Sequence, residues 1–184
     1  MTTSTPRQMD PNIICLGPTG SGKTLLLRKL QNENSVDNTT TSVPTVGTDI
    51  VLIKWKRKVG ENGTEVESET KIRELGGTMA PLWSKYLHGV TKLLYVVDTS
   101  NLCQISAAGV LLYTMLSHPG LQKTKFLLVL TKMDVSYRQM RNEALLMLQM
   151  TRLRSEITQN VRIVEASAID GEGRVEILQW LFSK

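Results

Sequence analysis

The chain has 184 residues with a formal net charge of +5 at pH 7, and 41% of its residues are hydrophobic. That length suits a single globular domain, and the apolar fraction is too high for an intrinsically disordered chain. Two cysteines cannot form a disulfide framework, so Cys15 and Cys103 are expected to be reduced thiols of a cytoplasmic protein.

Basic and acidic residues are spread along the chain, whereas a nucleic-acid-binding protein usually concentrates its positive charge, so we expect no nucleic-acid partner. No apolar run approaches the roughly 20 residues that span a bilayer. Thr2 stands where N-myristoylation requires Gly, and the segment before Lys184 has no prenylation cysteine. Any association with a membrane is therefore expected to be peripheral.

Residues 1–11 are polar and are expected to form a flexible tail, followed by one domain over residues 12–184. That domain begins with an apolar run at 13–16, which ends in a glycine-rich turn and predicts a buried strand. Leucines over residues 25–30 predict a helix directly after the turn. Residues 32–42 are rich in Asn, Thr and Ser and predict a loop.

Apolar and basic residues alternate over residues 49–58, which predicts a strand with one buried face. Asn62-Gly63 is typical of a two-residue hairpin turn, and residues 64–75 would return as an antiparallel strand. The basic run at 54–58 has two interpretations. It is either a patch for anionic lipid or an acidic partner, or an edge strand whose lysines discourage sheet-to-sheet pairing; we favour the edge strand.

Strands and helices alternate through the second half of the chain. Continuous apolar runs predict strands covered on both faces, and apolar residues at spacings of three and four predict helices. The predicted strands cover residues 93–97, 126–130 and 161–166, and the predicted helices cover 105–116, 140–148 and 175–182, the last of these based on Val175, Leu178 and Phe182. With the hairpin, this order predicts an α/β fold: a mostly parallel six-stranded sheet with one antiparallel hairpin edge and helices on both faces.

A glycine-rich motif of the form G-x-x-x-x-G-K-[ST] lies between the first predicted strand and helix. It consists of Gly17, Pro18, Thr19, Gly20, Ser21, Gly22, Lys23 and Thr24. Its backbone N–H groups and the N-terminus of the following helix can converge on phosphate oxygens. Lys23 would reach the β- and γ-phosphates, and the Thr24 hydroxyl would bind Mg²⁺. The flanking strand and helix favour a phosphate-binding loop over a chance match.

The sequence Thr131-Lys132-Met133-Asp134 follows the second continuous apolar run, at the carboxyl end of a predicted strand, where ligands bind in open α/β sheets. The carboxylate of Asp134 can accept hydrogen bonds from the N1–H and 2-amino groups of guanine, a donor pair that adenine lacks. The stem of Lys132 can cover a purine ring. Taken alone this pattern is weak, because Lys and Asp are common in surface loops.

Five motifs occur in the order of the guanine-nucleotide-binding boxes of the small GTPases, and the residues of two of them resemble the ADP-ribosylation-factor-like branch. They are residues 17–24, Pro44-Thr45-Val46-Gly47, Glu74-Leu75-Gly76-Gly77 with Pro81-Leu82-Trp83, residues 131–134, and Ser167-Ala168. The resemblance covers residues 12–183 and implies GTP or GDP and Mg²⁺ as ligands. It also implies that Thr45 binds Mg²⁺ when a γ-phosphate is present and that Glu74 acts on this ion through a water.

The same resemblance assigns further contacts to residues of this chain. The backbone N–H of Gly77 would contact the γ-phosphate, and Lys132 and Asp134 would hold guanine. Ser167 and Ala168 would back the base, with the N–H of Ala168 meeting its O6 atom. These assignments are implied by the resemblance and are expectations.

Three positions depart from the family pattern. Glu74 stands where the family has Asp, so the carboxylate is moved by one methylene and Mg²⁺ binding is expected to be weaker or rearranged. Thr78 stands near the position of the Gln that orients the attacking water, so slow or absent intrinsic hydrolysis is expected. Thr131 replaces the Asn that ties the base loop to the phosphate loop, and weaker nucleotide affinity is expected.

These observations predict a monomeric guanine-nucleotide switch whose GTP-bound form recruits a protein effector. Bound GTP would order residues 38–48 and 76–88, and a GTPase-activating protein and an exchange factor would act on the cycle. One alternative is an interaction module with a degenerate nucleotide site. The other is a P-loop kinase acting on a nucleotide or metabolite, although the arginines between residues 138 and 154 lie on one predicted helical stretch and form no evident lid.

Overall fold

The computed structural model describes residues 11–59, 64–136 and 138–183 of the chain. The strands in these ranges are β1 (Ile13–Leu16), β2 (Thr48–Val59), β3 (Thr64–Leu75), β4 (Lys92–Asp98), β5 (Lys125–Thr131) and β6 (Val161–Glu165). The α-helices are α1 (Lys23–Gln31), α2 (Leu102–Leu116), α3 (Arg138–Met147), α4 (Met150–Glu156) and α5 (Arg174–Leu181), and 3-10 helices cover Gly77–Tyr86 and Pro119–Leu121. The predicted turn at Asn62-Gly63 and the predicted tail, apart from residue 11, lie outside the described residues.

The strands pair in one sheet in the order β2-β3-β1-β4-β5-β6. β2 and β3 pair antiparallel over their whole length, and every other neighbouring pair in this order is parallel. This confirms the predicted sheet with its single antiparallel edge. β1 has only 4 residues and lies between β3 and β4, so the loop after Leu16 leaves the sheet near its centre, at the carboxyl ends of the parallel strands.

The side chains of β1 alternate between two hydrophobic cores, one on each face of the sheet. Ile14 and Leu16 pack in the core shared with α2, α3 and α4, whereas Ile13 and Cys15 pack in the core shared with α1 and α5. All four side chains are at most 4% exposed. β1 therefore has no solvated face, as expected for a central parallel strand, and helices cover both faces as predicted.

β2 is an edge strand, and its basic residues lie opposite acidic residues of β3. Lys54 is in register with Glu69. Lys56 is likewise in register with Glu67. Opposite charges that face each other across an antiparallel pair stabilise the pair and weaken the positive field of the strand. The basic run is thus part of a mixed charge ladder on an edge strand, which agrees with the favoured interpretation.

The helical stretch predicted from residue 140 onward is interrupted. α3 ends at Met147 and α4 begins at Met150, so the arginines between residues 138 and 154 fall on two helices and not on one. Gln149, between the helices, has a φ of 51°, a left-handed conformation that is uncommon for a residue with a side chain. The turn lets Leu148 and Met150 both enter the core, at 3% and 5% exposure.

The closing helix α5 is present as predicted, but its buried face differs from the predicted one. Val175 is 56% exposed, whereas Leu178 is fully buried and Phe182 is half-buried. Ile177 and Leu178 reach the core. Val175 lies two residues before Ile177 and therefore roughly 200° from it around the helix. Within the described ranges, no helix combines the length and the apolar character needed to cross a membrane.

A hydrogen bond of Tyr95 joins β4 of the sheet to α2. Its buried hydroxyl donates to Ala108 O at 2.7 Å, and burial raises the pKa of Tyr95, so the donor persists at neutral pH. Tyr95→Phe removes only this donor and should lower the free energy of unfolding by about 1 kcal/mol in a urea titration. Tyr113→Phe, an exposed tyrosine of α2, is the control and should leave the value unchanged. Equal losses in both variants would contradict the assignment.

Candidate nucleotide-binding site

The loop between β1 and α1 has the backbone that its glycines predict. Gly22, the residue before α1, has a φ of 88°, in the left-handed region that favours glycine. No side chain caps this helix N-terminus, and its first turn carries no acidic residue. The first N–H groups of α1 and their partial positive charge are therefore available to an anion.

Lys23, the first residue of α1, is 5% exposed and folds back over the loop. Its ammonium donates to the carbonyl oxygens of Gly17 and Pro18, each at 2.9 Å. Burial lowers the pKa of Lys23, and the charge of Glu74 opposes this shift. Burial, together with the charge of Glu74, raises the pKa of neighbouring Cys15, which is a neutral thiol at physiological pH. The positive charge of Lys23 is thus held inside the loop by two carbonyl oxygens.

Three oxygen-bearing side chains from distant parts of the chain meet next to this loop. Thr24 Oγ1 donates to Glu74 Oε1 at 2.6 Å, and Thr45 Oγ1 donates to the same oxygen at 3.2 Å. The two threonine hydroxyl oxygens are 3.1 Å apart. Glu74 is 1% exposed and lies in register with Cys15 of β1, so the pairing of β3 with β1 fixes the carboxylate beside the start of α1.

The backbone directly after β3 is in close contact with two other loops. Gly76 N donates to Gly47 O at 3.0 Å, and a Cβ atom on Gly76 would lie 2.2 Å from Thr45 O. A Cβ atom on Gly77 would lie 2.1 Å from Thr19 N. Real Cβ atoms do not approach backbone atoms so closely, so both glycines are required for these contacts and are not merely part of a flexible loop.

Thr131, the last residue of β5, contacts the phosphate-binding loop. Its hydroxyl lies 2.7 Å from Ser21 O and 3.0 Å from Val97 O. A hydroxyl has one proton, so it cannot donate fully to both carbonyl oxygens. The base loop and the phosphate loop are therefore tied, but by one donor that serves two acceptors.

Asp98, the last residue of β4, is a site residue that the sequence analysis missed. Its Oδ2 atom lies 2.6 Å from Lys132 Nζ, and its Oδ1 atom accepts from the N–H and the hydroxyl of Ser100. Asp98 is 6% exposed, so its charge depends on these donors. An Asp at the end of a continuous apolar run, at the carboxyl edge of the sheet, was the signal that could have identified it.

Asp134 and Ser167 lie together in the loops that follow β5 and β6. Ser167 Oγ donates to Asp134 Oδ1 at 2.9 Å and accepts from Asp170 N at 3.0 Å. Ser167 is 1% exposed, whereas Asp134 is exposed and Ala168 is half-buried. The buried hydroxyl therefore orients the carboxylate and leaves it accessible to a ligand.

A cavity of about 270 Å³ opens between the phosphate-binding loop and the segment before β2. Its wall contains Thr19, Gly20, Gly22, Lys23, Thr24, Thr45, Glu74, Gly77 and Lys132 of the predicted site, together with Leu25, Ser42, Val43 and Pro44. Thr78 is exposed and does not line it, and Asp134, Ser167 and Ala168 stand outside it. A larger groove of about 510 Å³, between α2 and the α3–α4 pair, contains none of the predicted site residues.

The oxygen atoms of Thr24, Thr45 and Glu74 fit the preference of Mg²⁺ for oxygen ligands. A hydroxyl that donates its proton to a carboxylate keeps its lone pairs free for a cation. Because Glu74 Oε1 accepts from both hydroxyls, the two threonines are the direct ligands that this arrangement could offer, and Glu74 would orient them. The cradle therefore suits a phosphate-bound magnesium ion.

The sheet order and the glycine-rich loop between β1 and α1 define a P-loop protein with the small GTPase fold. The chain is similar in structure to the Arl6 BBS3 small GTPase from Trypanosoma brucei, solved with bound nucleotide analogue GppNp. The TM-score is 0.71 at 20% identity, and the match covers 92% of this chain and 93% of that chain. At this identity the match supports the fold alone.

Sequence comparisons give the family. The chain matches the model of the ADP-ribosylation factor family over residues 1–184. It is 34% identical to ADP-ribosylation factor-like protein 16 of Homo sapiens over 174 residues, 91% of this chain and 83% of that protein. It is 30% identical to ADP-ribosylation factor-like protein 1 of Saccharomyces cerevisiae over 169 residues, 92% of this chain and 84% of that protein. The chain therefore belongs to the ADP-ribosylation factor family of small GTPases, as its motifs predict.

The contacts of the Thr131 hydroxyl are expected to stabilise the protein. Thr131→Val keeps the side-chain shape but leaves Ser21 O and Val97 O without this donor, so the free energy of unfolding should fall by about 1–2 kcal/mol. Urea titration of variant and wild type in the same nucleotide state measures the difference. Thr114→Val removes an exposed hydroxyl that bonds within α2 and should change the value by less than about 0.5 kcal/mol. If both variants lost the same stability, the Thr131 hydroxyl would contribute no more than an exposed hydroxyl does.

Proposed function

We propose that the protein is a guanine-nucleotide switch that binds GTP and GDP with Mg²⁺. Its GTP-bound form recruits a protein effector and hydrolyses GTP slowly or not at all. The observation that carries this proposal is the meeting of Thr24, Thr45 and Glu74 at one carboxylate oxygen. It joins the phosphate-binding loop, the segment 38–48 and the end of β3, the parts of the chain that must respond together to a terminal phosphate.

In the proposed complex the phosphates lie against the backbone N–H groups of residues 17–24 and the N-terminus of α1. The ammonium of Lys23 exchanges the carbonyl oxygens of its own loop for β- and γ-phosphate oxygens. The N–H of Gly77 donates to the γ-phosphate, a role supported by the approach of its backbone to the loop. The hydroxyls of Thr24 and Thr45 would hold Mg²⁺, which would neutralise phosphate charge.

The proposed choice of guanine depends on Asp134. Its carboxylate accepts from the N1–H and 2-amino groups, and Ser167 holds it in place from a buried position. Lys132 covers the base with its stem, while its ammonium is anchored by Asp98. Ala168 directs its N–H to the O6 atom. This set discriminates against adenine because adenine presents neither the donor pair nor the carbonyl oxygen.

Slow hydrolysis is proposed because the residue after Gly77 is poorly suited to orient a water. Thr78 lies at the start of the 3-10 helix, is exposed, and does not line the cavity. Its hydroxyl is too short to offer the acceptor and donor that a glutamine amide provides. An activating partner would supply the missing group, such as an arginine in trans.

The proposed surface for an effector, a GTPase-activating protein and an exchange factor surrounds the cavity. Val43 and Val46 are 85% and 93% exposed on the segment before β2, and Leu82 is 42% exposed on the 3-10 helix. Apolar side chains grouped on segments that respond to a γ-phosphate support protein binding there. We further propose that the protein is a cytoplasmic monomer and that any membrane contact is peripheral.

A second candidate is an interaction module that keeps the internal hydrogen bonds of the site and has no nucleotide cycle. It is favoured by the hydrogen bonds that the chain makes with itself, since Lys23 donates to its own loop and both threonines donate to Glu74. These bonds engage the groups that a nucleotide and Mg²⁺ would use. A kinase is disfavoured, because Arg141, Arg152 and Arg154, the arginines of α3 and α4 whose side chains the structure describes, do not line the cavity.

Nucleotide binding separates these candidates. Purified protein stripped of nucleotide is titrated with fluorescent GDP, GTP and ATP analogues, with Mg²⁺ and with EDTA. We expect GDP and GTP to bind at least about a hundredfold more tightly than ATP, because adenine lacks the donor pair that the Asp134 carboxylate would accept. A preference for ATP would support the kinase, and the lack of any binding would leave the interaction module.

Asp134→Asn tests the proposed contact between Asp134 and guanine. Xanthine has a 2-oxo group where guanine has an amine, so an amide N–H at position 134 matches xanthine and clashes with guanine. GDP affinity should fall at least about a hundredfold and xanthosine diphosphate should bind instead. Glu67→Gln, which neutralises an exposed carboxylate of β3 far along the hairpin, is the control and should keep the preference for GDP. Unchanged GDP affinity in Asp134→Asn would exclude this role.

Intrinsic GTP hydrolysis is expected to be slow. In a single-turnover assay with Mg²⁺, the wild type should hydrolyse GTP on the order of 10⁻⁴ s⁻¹ or more slowly. Thr78→Gln supplies both an acceptor and a donor next to Gly77 and should raise the rate about tenfold, whereas Lys85→Gln on the same 3-10 helix should not. A wild-type rate above about 10⁻² s⁻¹ would show that an unassigned group orients the water.

A further inference from the structure

Lys29 is a buried lysine that the phosphate-binding motif and the proposed base contacts do not use. It lies in α1 and is 7% exposed. Its ammonium donates to Ile169 O at 3.0 Å and to Val36 O at 3.2 Å. A buried ammonium requires such acceptors, because a charge removed from water without hydrogen bonds is strongly unfavourable. One charge therefore fixes two backbone positions that are far apart in sequence.

The first acceptor, Ile169 O, belongs to the loop after β6, which also contains Ser167. Ile169 follows Ser167 by two residues, and Gly171 N donates to Ser167 O at 2.9 Å, which makes a compact turn of this loop. A Cβ atom on Gly171 would lie 3.5 Å from Lys29 Cε, so the turn also packs on the lysine stem. The ammonium thus holds the turn in which Ser167 orients Asp134.

The second acceptor belongs to the loop that leads from α1 to Thr45. Val36 is 4% exposed, so both its side chain and its carbonyl oxygen are anchored at this point. The segment 38–48 begins two residues later. α1 is itself held by α5, because Arg174 Nε donates to Lys29 O at 2.9 Å. Lys29 therefore connects both loops to a helix whose position is fixed by its neighbours.

We propose that Lys29 is a positioning residue that couples the base-binding loop to the segment 38–48. Guanine held by Asp134 keeps the turn at 167–171 closed, and the closed turn keeps Ile169 O in contact with the Lys29 ammonium. The ammonium in turn holds Val36 O, two residues before the segment 38–48 begins. Release of the nucleotide requires both loops to open, so this bridge slows release. The inference rests on the proposed guanine-nucleotide binding.

Release of mant-GDP from the full chain, chased with unlabelled GDP in the presence of Mg²⁺, tests the proposal. Lys29→Met keeps the length and apolar stem of the side chain but removes the ammonium. Release should become about tenfold faster, the effect of losing a charge-assisted hydrogen bond. Arg28→Met removes an exposed positive charge from the preceding position of α1, and this variant should release mant-GDP at the wild-type rate.

Hydrogen exchange of the GDP-bound proteins distinguishes coupling of the two loops from a local role of Lys29, because a local role would not change the exchange rates of both loops. In Lys29→Met, the amides of residues 36–47 and of residues 167–172 should both exchange faster than in wild type, while those of α2 should not. Faster exchange in one loop alone would overturn the coupling. A lower melting temperature with unchanged release would also overturn it, since Lys29 would then serve stability only.

The outcomes separate this inference from the proposed function. If the wild type fails to bind mant-GDP, the proposed function is wrong and the inference fails with it. If the wild type binds and Lys29→Met releases mant-GDP at the wild-type rate, only the inference is wrong. Should Lys29→Met fail to fold, Lys29→Gln carries the same test, because its shorter neutral head cannot bridge both carbonyl oxygens, and unchanged release would again exclude the coupling.

Discussion

The buried carboxylate of Glu74 is the constraint on which the arrangement of the site depends. A charge at 1% exposure needs hydrogen-bond donors, because desolvation is otherwise uncompensated. The donors are Thr24 and Thr45, so the start of α1 and the segment before β2 are drawn to one oxygen atom. The register that pairs Glu74 with Cys15 is equally necessary, since a shift by one residue would turn the carboxylate to the other face of the sheet.

Much of the fold could be predicted because its signals are local. The buried parallel strands are continuous apolar runs, and the residues of the phosphate-binding loop are consecutive. Contacts between residues far apart in sequence left no such pattern: Asp98 meets Lys132 and Lys29 meets Ile169 only through the tertiary fold. The break at Gln149 was unpredictable for the same reason, since the burial of its neighbours outweighs the local preference for a continuous helix.

The three departures from the family pattern are accommodated unequally. The added methylene of Glu74 does not carry its carboxylate away from the threonines, and Thr131 still reaches Ser21 O. Both substitutions keep contacts that would support nucleotide binding. Thr78, by contrast, is exposed and stands outside the cavity wall. This difference supports the proposal that the chain retains nucleotide binding while turnover depends on a partner.

The placement of positive charge supports the proposed phosphate contact at Lys23. On β2 the lysines are opposed in register by glutamates, and the edge carbonyl of Leu52 already accepts from Gln31 Nε2 at 3.0 Å. Both features disfavour strand addition or an anionic surface at this hairpin. The buried ammonium of Lys23 is instead solvated by carbonyl oxygens, which stabilise its charge without neutralising it. A phosphate that enters the loop would therefore meet a positive charge that is already desolvated and oriented, so little of the binding energy would be lost in arranging it.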